Sequence, residues 1–128
     1  MSDVVLVADD DDDILLLVST RLKREGFEIV SARNGTEALE LARRHEPRVA
    51  VLDVGMPGMD GLEVLAAIRA EEALAGTRVL LLTAKAQESD VRRGYDTGAD
   101  AYVKKPFSPA ELAGRVRELY EAAGEGAR

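Results

Sequence analysis

Five short apolar segments recur along the chain, and each is followed by a longer segment in which apolar residues have helical spacing. Continuous apolar runs rich in β-branched residues are typical of strands that are buried on both faces of a parallel sheet. The predicted strands are Val4–Ala8, Phe27–Ala32, Val49–Leu52, Val79–Leu82 and Ala101–Val103.

The intervening segments predict five helices. Ile14, Leu15, Val18 and Leu22 lie on one face of the first, which Gly26 ends. The other four are expected from Thr36, as the capping residue, to His45; from Leu62 to about Glu72; from Ala86 to about Thr97; and after the cap Ser108. The fourth has few apolar residues, which indicates an element that the core holds weakly.

Strict alternation of strands and helices predicts right-handed crossovers and a parallel sheet covered by helices on both faces. We therefore expect an α/β fold, a flavodoxin-like doubly wound (βα)5 sandwich whose five-stranded parallel sheet has the order 2-1-3-4-5. The 128 residues suit one domain, predicted over 1–123, with a frayed C-terminal tail over 124–128.

The composition narrows the function classes. A net charge of −7 argues against direct nucleic-acid binding by this domain, because phosphate backbones need clustered Lys and Arg. The absence of cysteine excludes disulfides and thiolate metal sites. Neither a signal-peptide pattern nor an apolar run of membrane-spanning length occurs, so a cytoplasmic location without membrane attachment is the default expectation.

Candidate chemistry gathers at the ends of the strands. Asp53 ends the third apolar run and opens into a loop rich in Gly and Pro, while Asp9 and Asp10 follow the first run. The predicted strand order places the first and third strands side by side, so these carboxylates should converge at the switch point of the sheet. Like charges at such distances repel strongly, and Mg²⁺ is the cation that suits carboxylate oxygens while retaining waters.

Two further side chains are expected at this edge. Lys105 can supply a positive charge to a phosphoryl oxygen, and the hydroxyl of Thr83 can donate a hydrogen bond to another. In such a set the central carboxylate is the natural nucleophile, which would form an aspartyl phosphate.

Motifs in this order resemble the receiver domain of bacterial two-component response regulators, including the chemotaxis-type single-domain regulator. The resemblance covers nearly the whole chain. It rests on Val7–Asp11, Asp53 with Met56–Gly61, Thr83–Ala84, Gly98–Asp100 and Tyr102–Phe107.

The resemblance implies that Asp53 accepts a phosphoryl group from a phosphohistidine of a sensor histidine kinase or phosphotransfer protein. It implies that Asp10, Asp53 and the backbone carbonyl of Gly55 bind Mg²⁺ (or Mn²⁺) directly, and that Asp9 does so through water. Thr83 and Tyr102 would be the switch residues, acting on the surface formed by the fourth helix, fifth strand and last helix. A cis Lys105–Pro106 bond is also implied.

Several alternatives accompany this interpretation. The output could be a separate protein target or an output domain of a larger DNA-binding regulator. A phosphorylation-dependent homodimer would suit the mixed charges of Asp96, Asp100, Glu111, Arg115 and Arg117. A Mg²⁺-dependent phosphatase is the rival enzyme, but its second carboxylate would fall on Gly55.

Some residues favour plain structural explanations. Asp11–Asp13 suit the positive end of a helix dipole better than a metal site, and His45 suits a helix C-terminus. The chain departs from the family at Gly55, which lacks the side chain that many receiver domains carry beside the acyl phosphate. The resemblance implies that side chains at this position and at Lys85 flank the path of attacking water and influence how long a phosphoryl group persists.

Overall fold

The structure, a computed structural model, describes residues 3–84 and 88–126, with side chains described outside 88–91 and 124–126. In chain order the elements are β1 (Val4–Ala8), α1 (Asp12–Arg24), β2 (Glu28–Ala32), α2 (Gly35–His45), β3 (Val49–Asp53), α3 (Gly61–Ala70), β4 (Arg78–Thr83), α4 (Glu88–Thr97), β5 (Ala101–Lys104) and α5 (Pro109–Gly126). A short 3₁₀ turn, Glu72–Leu74, follows α3.

All strand pairs are parallel, and the sheet order is β2-β1-β3-β4-β5. The predicted fold class and strand order are therefore confirmed. Pairing of Ala8 with Leu52 brings the carboxyl ends of β1 and β3 to the same edge of the sheet. Pairing of Leu52 with Leu81 extends that edge to β4.

Side chains alternate across the strands and build two cores, one on each face of the sheet. Leu6, Leu52 and Leu81 point into the core beneath α2 and α3. Val7 and Val51 point into the opposite core, beneath α1 and α5. Because both faces are covered, the three inner strands carry almost no polar residue before their carboxyl ends, and that pattern made them recognisable in the sequence.

The helix ends mostly follow the predicted chemistry. Gly26 has a φ of 98° after α1, a left-handed conformation that glycine adopts without strain. The Ser108 hydroxyl accepts a hydrogen bond from the backbone N–H of Glu111 at 3.1 Å, as its predicted capping role requires.

The prediction that Thr36 caps the second helix is wrong. The helix begins at Gly35, and Asn34 is the capping residue: its Oδ1 lies 2.8 Å from the backbone nitrogen of Glu37. Either residue type can cap, and only the backbone path selects Asn34. A β carbon at Gly35 would overlap the carbonyl oxygen of Met59, so the close approach of this turn to the β3–α3 loop requires glycine.

Other boundaries differ by a few residues. The third helix stops at Ala70, two residues before its predicted end, and a 3₁₀ turn follows. The last helix continues to Gly126, so the tail predicted to fray from 124 is helical for three further residues. The predicted start of the fourth helix at Ala86 lies outside the described residues. Among the helices that the structure describes, none has the length and apolar character needed to cross a bilayer.

Replacement of Asn34 by Ala should lower the free energy of unfolding by about 1 kcal/mol, because the N–H of Glu37 loses its capping acceptor. Thr36→Ala is the matched control and should cost less than about 0.5 kcal/mol. Urea denaturation of both variants measures the difference. A larger loss for Thr36→Ala would contradict the observed cap.

Candidate functional site

Three carboxylates meet at the carboxyl edge of β1 and β3. Oxygens of Asp9, Asp10 and Asp53 all lie within 4.8 Å of one another. Asp9 is completely buried, Asp53 is 4% exposed, and Asp10 faces solvent. The predicted convergence of these residues is thus confirmed, and the cluster has two buried members and one open side.

Local backbone packing determines where Asp53 sits. It is the last residue of β3, and the next residue, Val54, donates its N–H to the carbonyl oxygen of Leu82 on β4 at 2.8 Å. At the start of α3, a β carbon on Gly61 would overlap the carbonyl oxygen of Asp53. Glycine at this position therefore lets α3 begin directly against the residue that carries the central carboxylate.

Lys105 reaches the same point from the β5–α5 loop. Its Nζ lies 2.9 Å from Asp9 Oδ2 and 3.2 Å from Asp53 Oδ1, and its side chain is only 16% exposed. The Lys105–Pro106 peptide bond is cis, as expected. The backbone N–H of Lys105 donates to the carbonyl oxygen of Thr83 at 2.6 Å, which ties this loop to the end of β4.

The electrostatics of the cluster favour a proton or a cation. Burial raises the pKa of Asp53 to about 6, and the neighbouring Asp9 charge adds to this effect. The charge of Lys105 and a hydrogen bond from the Gly55 N–H, 3.2 Å from Asp53 Oδ1, act in the opposite direction. Burial also opposes the charge on Lys105, but both carboxylates outweigh it and hold the pKa of Lys105 above its usual value.

The residues present fit a hard divalent cation. The donor set consists of carboxylate oxygens, the ligands that Mg²⁺ and Mn²⁺ prefer. One lysine does not neutralise three carboxylates, so the cluster keeps excess negative charge. The exposed carboxylate of Asp10 leaves an open side, and a magnesium site usually retains waters on such a side.

Thr83 and Tyr102 lie on the two strands beyond Asp53. Thr83 ends β4 and is 4% exposed, while Tyr102 on β5 is half-buried. Tyr102 pairs with Leu81, two residues before Thr83, so Thr83 and Tyr102 point to the same face of the sheet. Thr83, like Asp53, is the last residue of its strand, so both lie at the same edge of the sheet.

The remaining predicted residues lie outside the cluster. Asp11 caps α1, accepting hydrogen bonds from the backbone N–H groups of Asp13 and Ile14 at 2.9 and 3.2 Å. Asp12 pairs with Arg33 at 2.7 Å, and His45 ends α2. Asp11–Asp13 thus lie at the N-terminus of α1 and His45 at the C-terminus of α2, the helix ends at which they were predicted. Lys85 lies outside the described residues.

The sequence did not reveal a polar network around Arg69. Its guanidinium donates to the carbonyl oxygens of Gly98 and Thr77 at 2.9 and 2.7 Å, and to Asp100 Oδ2 at 2.9 Å. Asp100 also pairs with Arg78 at 3.3 Å. This network connects α3 to the α4–β5 corner. In the sequence Arg69 looks like an ordinary basic residue in the last turn of a helix, so no local signal indicated these contacts.

Two of the charges proposed for a dimer surface are engaged within the chain. Asp100 belongs to the Arg69 network, and Arg117 lies 3.4 Å from Glu25 Oε1. The homodimer therefore stays a prediction that rests on the other charges.

Comparison with known proteins identifies the family to which the chain belongs. The family model of the response regulator receiver domain matches residues 5–117. The chain belongs to this family. The receiver domain is a signalling domain of two-component systems, and the predicted family resemblance is confirmed.

Individual relatives agree with this assignment. The transcriptional regulatory protein SrrA of Staphylococcus aureus is 42% identical over 119 residues, which cover 93% of this chain and 48% of SrrA. A CheY-like receiver domain protein from Methanospirillum hungatei superposes with a TM-score of 0.91 at 26% identity, over 98% of this chain and 99% of that one. Chemotaxis protein CheY4 of Vibrio cholerae gives 0.87 at 32% identity, covering 93% and 99%. The chain thus spans about half the length of the curated relatives it matches.

The raised pKa of Asp53 predicts a pH-dependent stability. The folded state binds this proton more tightly than the unfolded chain, so the resulting stabilisation is present below pH 3.8 and is lost as the pH rises through about 6. Asp53→Asn removes the ionisation and should be about 1–2 kcal/mol more stable than wild type at pH 7.5, but not at pH 4.

Denaturation with urea between pH 4 and 8, in the presence of a chelator, measures this difference. Asp60→Asn serves as a control at a carboxylate outside the cluster, and should not reproduce the gain of stability at pH 7.5. Parallel curves for wild type and Asp53→Asn would contradict the raised pKa.

Proposed function

We propose that Asp53 accepts a phosphoryl group from a phosphohistidine of a sensor histidine kinase or phosphotransfer protein, and that the modification switches a protein-binding surface. The observation that carries this proposal is the single cluster in which Asp53 lies beside Asp9, Asp10 and Lys105. Transfer forms a bond between a carboxylate oxygen and phosphorus, and it breaks the nitrogen–phosphorus bond of the donor. The electron pair of that bond returns to the imidazole.

We assign the cation site to Asp10, Asp53 and the backbone carbonyl of Gly55, with Asp9 contributing through water. Mg²⁺ (or Mn²⁺) bound there supplies positive charge to the phosphoryl oxygens. Asp9 already accepts a hydrogen bond from the Asp11 N–H at 2.9 Å and pairs with Lys105, which agrees with an indirect role.

Lys105 and Thr83 complete the proposed acceptor site. The Lys105 ammonium, 3.2 Å from Asp53 Oδ1, is placed to pair with a phosphoryl oxygen once that carboxylate is phosphorylated. The Thr83 hydroxyl would donate to another phosphoryl oxygen. Both groups bind the modified form better than the free carboxylate, as a phosphorylation switch requires.

The proposed switch runs from Thr83 to Tyr102. Movement of the Thr83 hydroxyl toward the phosphoryl group vacates space that the Tyr102 ring fills, and the surface of α4, β5 and α5 repacks. A shift from 1:99 to 99:1 between the two states needs about 5.5 kcal/mol of differential interaction with the phosphoryl group. Phosphorylation-dependent homodimerisation or binding of a separate protein would read out this surface.

An apolar groove beside the site suits the phosphodonor. It has a volume of about 400 Å³ and is lined by Ile14, Leu17, Ala84, Lys105, Pro106 and Phe107. Leu17 is 48% exposed, although leucine is usually buried. Because Lys105 lines both the groove and the acceptor site, a donor docked here could present its phosphohistidine to Asp53.

A further part of the proposal is whether the receiver acts alone or controls an output domain of the same protein. Similarity to half of a transcriptional regulatory protein favours a receiver that controls its own output domain, with a single-domain regulator as the alternative. The receiver itself would not bind nucleic acid, given a net charge of −7. We place it in the cytoplasm, where a kinase has access to ATP. The phosphatase alternative gains no support, because Gly55 offers no second carboxylate.

Incubation with acetyl phosphate and Mg²⁺ should add one phosphoryl group to the intact mass of the protein. Asp53→Asn should show no adduct, and neither should wild type in excess chelator. Asp60→Asn is the matched control and should be modified like wild type. An adduct of equal yield on Asp53→Asn would exclude Asp53 as the acceptor, and sustained hydrolysis of varied phosphate esters would favour a phosphatase.

Leu17→Glu should slow phosphotransfer from a purified phosphohistidine-bearing kinase domain by about tenfold or more, because a charge would enter the apolar groove. Modification by acetyl phosphate should be unchanged, since that small donor needs no groove. Leu16→Glu is the control: Leu16 is 67% exposed but lines a different cavity, between α1 and β2. Equal slowing by both variants, or by neither, would contradict docking in this groove.

A further inference from the structure

Gly94 lies inside α4, at a point where the helix backbone packs closely against the sheet. The residue is buried, although it belongs to the helix with the most polar sequence of the chain. Glycine in a helix interior is less favourable than alanine, because it loses more backbone freedom on folding. Its presence therefore calls for a local reason.

The reason is steric. A β carbon on Gly94 would lie 2.8 Å from Leu81 Cδ1 and 3.3 Å from Tyr102 Cε2. Leu81 is completely buried in the core and pairs with Tyr102 in the β4–β5 register. The Leu81 side chain is confined by the close-packed core, so an added methyl group would push on the Tyr102 ring or lift α4 from the sheet.

The Tyr102 ring points inward, toward the core, rather than toward solvent. The hydroxyl oxygen of Tyr102 is fully buried. Its ring centroid lies 6.3 Å from that of Tyr95, which is 50% exposed. The inward Tyr102 ring thus occupies space directly beside Gly94.

We propose that Gly94 is a positioning residue: the missing side chain keeps open the space that the inward Tyr102 ring occupies. The size of residue 94 would thereby determine how readily the Tyr102 ring takes its inward position when Asp53 is phosphorylated. The effect on Tyr102 position stands on the packing alone. Its consequence for signalling rests on the proposed function, in which Tyr102 fills space vacated by Thr83.

Gly94→Ala should lower the ratio of inward to outward Tyr102 by about tenfold, an effect typical of overpacking in a filled space. Phosphorylation of Asp53 should proceed as in wild type, because Gly94 does not touch the acceptor cluster. Gly114→Ala in α5 is the matched control. A β carbon there meets nothing within 4 Å, so Tyr102 should be unaffected.

Fluorotyrosine labelling with ¹⁹F NMR measures the position of the ring. The chain has three tyrosines, and loss of one resonance in Tyr102→Phe assigns the signal. The change in its shift between H₂O and D₂O reports exposure to solvent. In the unphosphorylated proteins we expect a small change in wild type and Gly114→Ala, and a large one in Gly94→Ala.

Intact mass on the same samples separates the two proposals. A Tyr102 resonance as protected in Gly94→Ala as in wild type would overturn the role of Gly94, whether or not Asp53 is phosphorylated. Absence of a wild-type adduct would instead overturn the proposed function, while the unphosphorylated comparison would still test Gly94.

A second variant covers the case in which Gly94→Ala does not fold. Valine lacks the Cδ1 atom that the new methyl group would strike, so the double variant Leu81→Val/Gly94→Ala relieves the closer contact. It should fold and still expose Tyr102 more than Leu81→Val alone. Equal exposure in these two proteins would overturn the proposal.

Discussion

The structure around the site depends on one electrostatic arrangement: two buried carboxylates that share one ammonium group. Asp9 and Asp53 come from neighbouring parallel strands, and Lys105 reaches both from the far side of β4. Without that cation the carboxylates would repel each other in a poorly solvated place. The Lys105 contact therefore joins the ends of β1 and β3 to the β5–α5 loop.

Lys105 neutralises the carboxylate charges only in part, and the remaining negative charge favours the proposed chemistry. Burial and the Asp9 charge raise the pKa of Asp53, so the free carboxylate is less stable here than in water. A cation relieves the repulsion, and formation of an aspartyl phosphate would replace the Asp53 carboxylate charge by charged phosphoryl oxygens with which Lys105 can pair. The proposed chemistry thus changes the charges that hold three loops together, and a change of that kind can alter the fold locally.

The far side of the molecule contrasts with this edge. The α4–β5 corner is tied to α3 by the guanidinium of Arg69, which contacts Gly98, Thr77 and Asp100. Before that corner, α4 meets the sheet through Gly94, against Leu81 and Tyr102. One end of the helix is held by charged hydrogen bonds, whereas its middle depends on the fit of an aromatic ring. Such a helix can respond to a small displacement of Tyr102 without loss of the core.

The sequence by itself determined the strand order, the fold class and the membership of the carboxylate cluster. Parallel strands buried on both faces need uninterrupted apolar runs, so the polar residues at their ends, Asp9, Asp53 and Thr83, stand out. Capping preferences did not predict the start of α2, because Asn34 and Thr36 both suit a helix N-cap. Only the path of the backbone past Met59 decided between them. The tertiary structure alone decided the Arg69 network and the role of Gly94, because both depend on contacts between residues distant in the chain. A glycine or an arginine in a helix carries no local sign of the side chains it will meet.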